Sequence, residues 1–475
     1  MNFLSVLLAL LIFGVLIAIH ELGHFLMARA FGVKILEFSI GMGPKVFSKQ
    51  SKKSGTQYSL RIFPIGGYVS MFGEDGMEAV QGKQPEVPKS EPDDPYTIDL
   101  SQNNAESTVK TPVDPELAKQ AYCNKSVWIR ILISLAGPLM NVLLGFVLMF
   151  VLVLSAGPNA VATTRVAGFH VEYKAEETYE GLQQNDYLYA LKTGPDDADD
   201  TDDVRILSLD QLREAARASA DGKLTFTVLR LNEKGTDTVD PLPVITAYFD
   251  DEKIDACFQA SLSAGTAENP GLRPGDTILK VNGTPVHTYA ELSYEIMNQG
   301  YKPINFTVRR DGEKVVLRDV VVPTYIAEGS AFGDVDFIIY REKSFHFPVV
   351  VKHTFFRSVS TVKMVYDSLK GLLTRRYGLQ TVSGPIGITK TISEVAQSGQ
   401  RLNLLYLVIV ISINLGIMNL LPLPALDGGH LLLYLVEAVR RKPLPRGVEG
   451  IINFVGLILI LALAIVIAVK DIITL

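Results

Sequence analysis

Hydrophobic residues along this chain gather into four long blocks separated by stretches of mixed character. The first runs from Phe3 to Ile19 with Ser5 as its one polar side chain, and it ends in His20-Glu21-Leu22-Gly23-His24. Three more, about Ile129 to Leu154, Leu402 to Leu421 and Ile451 to Val469, have the length and apolarity to cross roughly 30 Å of hydrocarbon. The pattern predicts a polytopic α-helical membrane protein with four transmembrane helices. Leu7 to Ile19 also has the look of a secretory signal, but no basic segment precedes it and apolar residues resume after the motif, so an uncleaved helix is expected.

Between the blocks the period changes. Val33 to Met71 alternates apolar and polar positions, as in Lys34-Ile35-Leu36-Glu37-Phe38-Ser39-Ile40, with glycines at Gly41-Met42-Gly43 and Gly66-Gly67, which predicts a small membrane-associated β-sheet beside the first helix. Glu74 to about Val113 is rich in Pro, Ser, Asp and Glu, and reads as an insertion without a packed core. The long second connection carries Pro270-Gly271-Leu272-Arg273-Pro274-Gly275-Asp276, then a strand, a helix near Ala290 and a strand from Ile304 to Arg309. This resembles a PDZ domain. A weaker copy has Gly181 to Leu188, a helical Leu209 to Ala218 and the strand Leu224 to Leu229, so a pair about 90 residues apart is expected. Such folds can bind an extended peptide at a sheet edge, and can equally act as a steric filter. Phe347 to Leu373 reads as an amphipathic helix along the outer membrane surface or packed on the pair.

The expected organisation is a first helix in 1–31, the sheet in 32–73, the insertion and a short helix in 74–128, and a second helix in 129–156. A degenerate first PDZ domain follows in 157–248, a second in 249–325 and a helical segment in 326–400. The third helix lies in 401–432, a basic connection in 433–450, the fourth helix in 451–470 and a tail in 471–475.

Charge orients these segments. Arg29, Lys34, Lys125 and Arg130 bracket the first connection and Arg440, Arg441, Lys442 and Arg446 fill the third, so both face the cytoplasm. The PDZ pair then lies outside, in the periplasm of the inner membrane if the source is Gram-negative. That topology separates Cys123 from Cys257 and precludes a disulfide between them. The net charge of -6 argues against nucleic-acid binding. The run Asp196 to Asp203 lacks the glycine and distal glutamate of a calcium loop and reads as solvated.

Lipid cannot solvate two histidines and a glutamate, so the first block needs partners for them. Histidines at i and i+4 share one helix face and can grip one zinc ion, with Glu21 close enough to act as a general base. The third block ends in Asn419-Leu420-Leu421-Pro422-Leu423-Pro424-Ala425-Leu426-Asp427-Gly428-Gly429-His430, where prolines break the helix. Such backbone is tolerated in a membrane where it lines a polar cavity. Asp427 and His430 are both placed to supply a third ligand, leaving one position for water.

Together, the first-block motif, the Asn-x-x-Pro-x-Pro-x-x-Asp-Gly segment and the intervening PDZ-like modules resemble the site-2 protease family of intramembrane zinc proteases. Ala136-Gly137-Pro138 with Asn141, and Ser383 to Ile388, extend the likeness over nearly the whole chain. The resemblance implies His20, His24 and Asp427 as ligands of one zinc ion and Glu21 as catalytic acid/base. It implies that Asn414 and Asn419 hold the substrate backbone, and that the sheet around Gly41, Gly43 and Gly67 pairs with an unwound substrate strand. The layout is most similar to bacterial members that cut a membrane-bound anti-sigma factor after its outer part is trimmed, with remnant signal peptides or other single-span proteins as further substrates. A scaffold or chaperone that captures envelope proteins without cutting them is the rival reading, and an ion transporter a second, opposed by the lack of an inverted repeat.

Overall fold

All four apolar blocks form helices long enough to span a bilayer, over Leu4–Ala30, Val127–Ala156, Arg401–Asn419 and Gly450–Ile473. A computed structural model describes residues 3–74, 115–169, 171–184, 186–192, 204–206, 209–219, 222–230, 242–265, 269–327, 330–341, 345–374, 382–442 and 446–473. Nearly all of the acidic, proline-rich insertion and the whole run Asp196 to Asp203 lie outside the described residues. The chain divides into two compact units, residues 1–152 with 361–475, and residues 153–360.

In the first unit, α1 (Phe3–Ala30) leads into β1 (Ile35–Gln50) and β2 (Gln57–Met71). Both strands are long and bent by irregularities in register. Phe38, Ser39 and Ile40 align with Val69, Tyr68 and Gly67 on one side and with Tyr58, Ser59 and Leu60 on the other. Gly67–Met71 is therefore an edge among the described residues. Val69 and Met71 pack with Phe25, Ala28 and Ile133 in one buried cluster, which ties that edge to α1. Met42, Val46, Phe47, Ile62 and Phe63 leave an apolar patch exposed at the other end of the hairpin, the kind of surface that seeks a lipid or protein partner.

The remaining long helices are α2 (Val127–Ala156), α3 (Phe347–Leu373), α4 (Pro385–Gln397), α5 (Arg401–Asn419), α6 (Asp427–Arg440) and α7 (Arg446–Ile473), and a short one covers Pro115–Lys119. Ile392 of α4 is buried with Ala9 and Leu16 of α1 and Ile411 of α5. Buried Asp471 of α7 accepts the N–H groups of Gly384 and Gly387, each at 2.9 Å. A carboxylate there satisfies donors that the start of α4 would otherwise leave open.

The second unit contains two sheets built on one plan. In chain order their main strands are β3 (Ala162–Phe169), β4 (Val171–Tyr173), β5 (Tyr187–Leu191), β6 (Lys223–Leu229), β7 (Val244–Tyr248), β8 (Phe258–Ala260), β9 (Thr277–Val281), β10 (Ile304–Arg310), β11 (Glu313–Val320) and β12 (Phe337–Arg341). One sheet runs β7-β6-β5-β4-β8 and the other β11-β10-β9-β3-β12. Leu209–Ala218 and the shorter Asp251–Cys257 are helices of the first module, and Tyr289–Met297 is the helix of the second. The same buried latch recurs in both. Asp186 accepts the Gln183 N–H at 2.9 Å and a two-pronged contact from Arg230 at 2.8 and 2.6 Å, while Asp276 accepts the Arg273 N–H at 2.9 Å and the same fork from Arg310 at 2.8 and 2.7 Å.

Strand pairing departs from the expected boundaries in two places. Residues 162–169, expected in the first module, pair with β9 and β12 of the second sheet, and β8, expected in the second, pairs with β4 of the first. One module is thus inserted into the other rather than following it. Local turn and strand signals are contiguous in sequence, whereas these pairings are long-range, which is why composition did not locate the boundary. The start of the segment 326–400, expected to be helical, holds strands instead: Ser330–Gly333 forms a hairpin with Thr324–Ala327, and Phe337–Arg341 is a further strand. Their runs of aromatic and β-branched residues favour that outcome. Cys123 and Cys257 are free.

Candidate active site

His20, Glu21 and His24 occupy adjacent turns of α1, and the two imidazoles are buried at 7% and 9% exposure. Their surroundings are supplied by α2, which approaches unusually closely. A Cβ at Gly23 would collide with the Ala136 carbonyl, and one at Gly137 with the His24 ring. Small residues that let helix backbones touch are a common device in membranes. Here they bring the Ile133 carbonyl to 2.8 Å from His24 Nδ1, which donates to it. The hydrogen bond fixes the ring and turns Nε2 inward.

Asp427 reaches the same point from the far end of the chain. After α5, Pro422 and Pro424 interrupt the helix, Ala425 adopts φ +68°, and the backbone doubles back so tightly that a Cβ on Gly428 would strike the carbonyls of Leu420 and Leu421. Asp427 then opens α6, where a carboxylate is favoured by the helix dipole. The Ser134 hydroxyl donates to its backbone carbonyl at 3.2 Å. Gly456 of α7 packs on Pro424 and supports the break.

These elements bring three ligand atoms together. His20 Nε2 lies 3.0 Å and His24 Nε2 3.5 Å from Asp427 Oδ2, and the two Nε2 atoms are 3.3 Å apart. Ligand atoms about 2.0–2.1 Å from a tetrahedral ion would be separated by roughly 3.3 Å, so the donor set fits one zinc ion in both type and spacing. It is the one group of three or more His, Cys, Asp or Glu able to hold a metal among the described residues.

The cluster opens on a cavity of about 1060 Å³ lined by Glu21, Gly67, Asn419 and His430 among others. Glu21 sits against the edge of the sheet, since a Cβ on Gly67 would come within 3.1 Å of its Cγ. His430, the rival third ligand, faces the cavity one turn beyond Asp427 but is not part of the three-atom cluster. Farther along α6, Glu437 accepts from Arg130 at 2.6 Å, and the hydroxyls of Tyr122 and Tyr434 lie 3.1 Å apart. Of the residues expected to meet substrate, Gly67 and Asn419 line the cavity. Gly41, Gly43 and Asn414 are not among its lining residues, and Asn414 is exposed on α5.

Sequence reasoning assigned no role to Ile133, Ser134, Asn141 or Ser412. Asn141 Nδ2 lies 3.4 Å from His20 Nδ1, and Ser412 donates to the Asn141 backbone carbonyl at 2.8 Å. A backbone carbonyl leaves no trace in the sequence. Asn141 did, as a polar residue inside an apolar helix.

The sequence profile of peptidase family M50 matches residues 8–463. A protein named zinc metalloprotease RasP from Geobacillus kaustophilus is 28% identical, with 98% of this chain and 97% of that protein covered. A regulator of sigma-W protease, RasP of Bacillus subtilis, is 26% identical over 98% of this chain and 97% of its own length. A regulator of sigma E protease from Salmonella typhi is 28% identical over 95% of this chain and 94% of its own length.

Proposed function

Because the chain belongs to peptidase family M50, we propose that it is a zinc-dependent endopeptidase that cuts the membrane segment of single-span proteins. The observation that carries this reading is the convergence of Asp427 on His20 and His24, beside Glu21, on a helix apolar enough to lie in a bilayer.

His20, His24 and Asp427 would hold the ion. Zinc bound there supplies Lewis acidity toward a peptide carbonyl and lowers the pKa of a bound water toward about 7. Glu21 takes a proton from the attacking water and passes it to the leaving amine, so one carboxyl serves both half-reactions. Close packing of α1 and α2 buries both histidines beside the cavity. A helical substrate hides its amides in internal hydrogen bonds, and unwinding exposes them to a solvent that cannot replace those bonds. The edge Gly67–Met71 offers replacement partners by strand addition directly beside Glu21. Asn419, on the cavity wall, is positioned to bind a substrate amide.

The sigma-regulating relatives support a membrane-anchored anti-sigma factor as substrate. The two modules of the second unit share one topology and one buried Asp–Arg latch, which supports reading them as PDZ-like. On the outer side of the inner membrane they would admit substrates already trimmed and hold back intact ones.

The reading is tested with the purified chain, a detergent-solubilised single-span substrate and a zinc chelator. Cleavage within the apolar segment, lost on chelation and restored by zinc, is expected. Cleavage that persists without metal would contradict it.

A further inference from the structure

The two histidines of the cluster are oriented by different groups. His24 Nδ1 faces a carbonyl oxygen, which can only accept. His20 Nδ1 faces the side-chain amide of Asn141, at 3.4 Å from the atom assigned as Nδ2. Asn141 is 0% exposed, and its Oδ1 has no hydrogen-bond partner among the described residues.

A neutral imidazole has one N–H and one lone pair. If His20 is to offer Nε2 to a metal, the proton must sit on Nδ1, and a proton there needs an acceptor. An amide nitrogen in that position would set donor against donor while leaving the amide oxygen orphaned, two defects in one buried pair. Amide oxygen and nitrogen are alike in size, so the hydrogen-bond network decides which way the group points. Turned by 180°, the amide places its oxygen on the Nδ1 proton and removes both the clash and the orphaned oxygen. The hydrogen bond from Ser412 to the backbone carbonyl holds the residue in place through either orientation.

We propose that Asn141 is a positioning residue whose side-chain oxygen accepts the Nδ1 proton of His20 and so fixes the tautomer that points the Nε2 lone pair at the metal. Asn141 touches neither metal nor substrate. The inference rests on reading His20 as a zinc ligand.

The test measures zinc affinity by chelator competition on the full chain in detergent, with thermal unfolding recorded on each sample. Wild type, His20→Ala, Asn141→Asp and Asn141→Leu are compared. Asn141→Asp keeps the acceptor and is expected to hold zinc as tightly as wild type or more so. Asn141→Leu keeps the shape and is expected to lose about 10- to 100-fold, as other partners of ligand histidines do. Should the leucine variant not fold, the aspartate variant decides alone, because an ionised carboxylate can only accept and zinc retained there is what acceptance from Nδ1 predicts. Equal affinity in the leucine variant, or a tenfold loss in a folded aspartate variant, overturns the role of Asn141. If wild type and His20→Ala bind alike, the ligand reading itself fails, and the inference with it.

Discussion

Asp427 Oδ2 lies 3.0 Å from His20 Nε2, although the two residues come from opposite ends of the chain. The contact requires that α1 be held against α2 and that the chain after α5 be folded back on itself. Neither arrangement is local. Substitutions that add a single methyl group at these approaches should therefore disturb the metal site more than their chemistry suggests.

Gly137→Ala places a Cβ on the His24 ring. Overpacking of this kind typically costs about 1–3 kcal/mol. Zinc affinity is expected to fall roughly ten- to a hundredfold with helical content unchanged, as measured by chelator competition and circular dichroism.

Gly67→Ala acts on the other side of the cluster. Its Cβ would sit 3.0 Å from the Ser39 carbonyl and 3.1 Å from Glu21 Cγ, and it touches no ligand. Zinc content is expected to stay at the wild-type level while cleavage drops on the order of a hundredfold, the scale of a misplaced catalytic group. Parallel loss of zinc would remove Gly67 from a role in the reaction.

Arg310→Ala leaves Asp276 buried at 1% exposure without its fork. Breaking one partner of such a pair costs about 3–5 kcal/mol. Hydrogen exchange in β9 and β10 is expected to accelerate accordingly, with zinc content preserved. Arg230→Ala should do the same to β5 and β6, since Asp186 is held identically.

Asp336 makes the second unit sensitive to pH. Burial lifts its carboxyl above the ordinary aspartate range, against hydrogen bonds from Ser263. The folded state thus keeps a proton that the unfolded state releases near pH 3.9. Its contribution is favourable below that pH and is lost as pH rises through the higher native value. Asp336→Asn retains an oxygen for the Ser263 N–H, 3.0 Å away in wild type. Thermal unfolding is expected to show a flatter pH profile and greater stability at pH 7 than wild type.

Much of this was legible from residue pattern. The four spans announced themselves by length and apolarity, and His20, Glu21 and His24 by the cost of placing such groups in lipid. Asp427 could be narrowed only to a choice with His430, because either side chain can follow a proline-broken helix. Three-dimensional packing put Asp427 in the cluster and left His430 on the cavity wall. What remained hidden was non-local. The pairing of Ala162–Phe169 with a strand more than a hundred residues away has no signature in either segment, and the Ile133 carbonyl that orients His24 belongs to an ordinary apolar residue.

The central claim is that this cluster cuts peptide bonds with Glu21 as proton carrier. It is tested most directly by comparing wild type with Glu21→Gln on one single-span substrate, with zinc measured in the same samples. The account predicts one zinc in both and a rate at least about 10²–10⁴ lower in the variant. Cleavage by Glu21→Gln at the wild-type rate, with zinc bound, would contradict it.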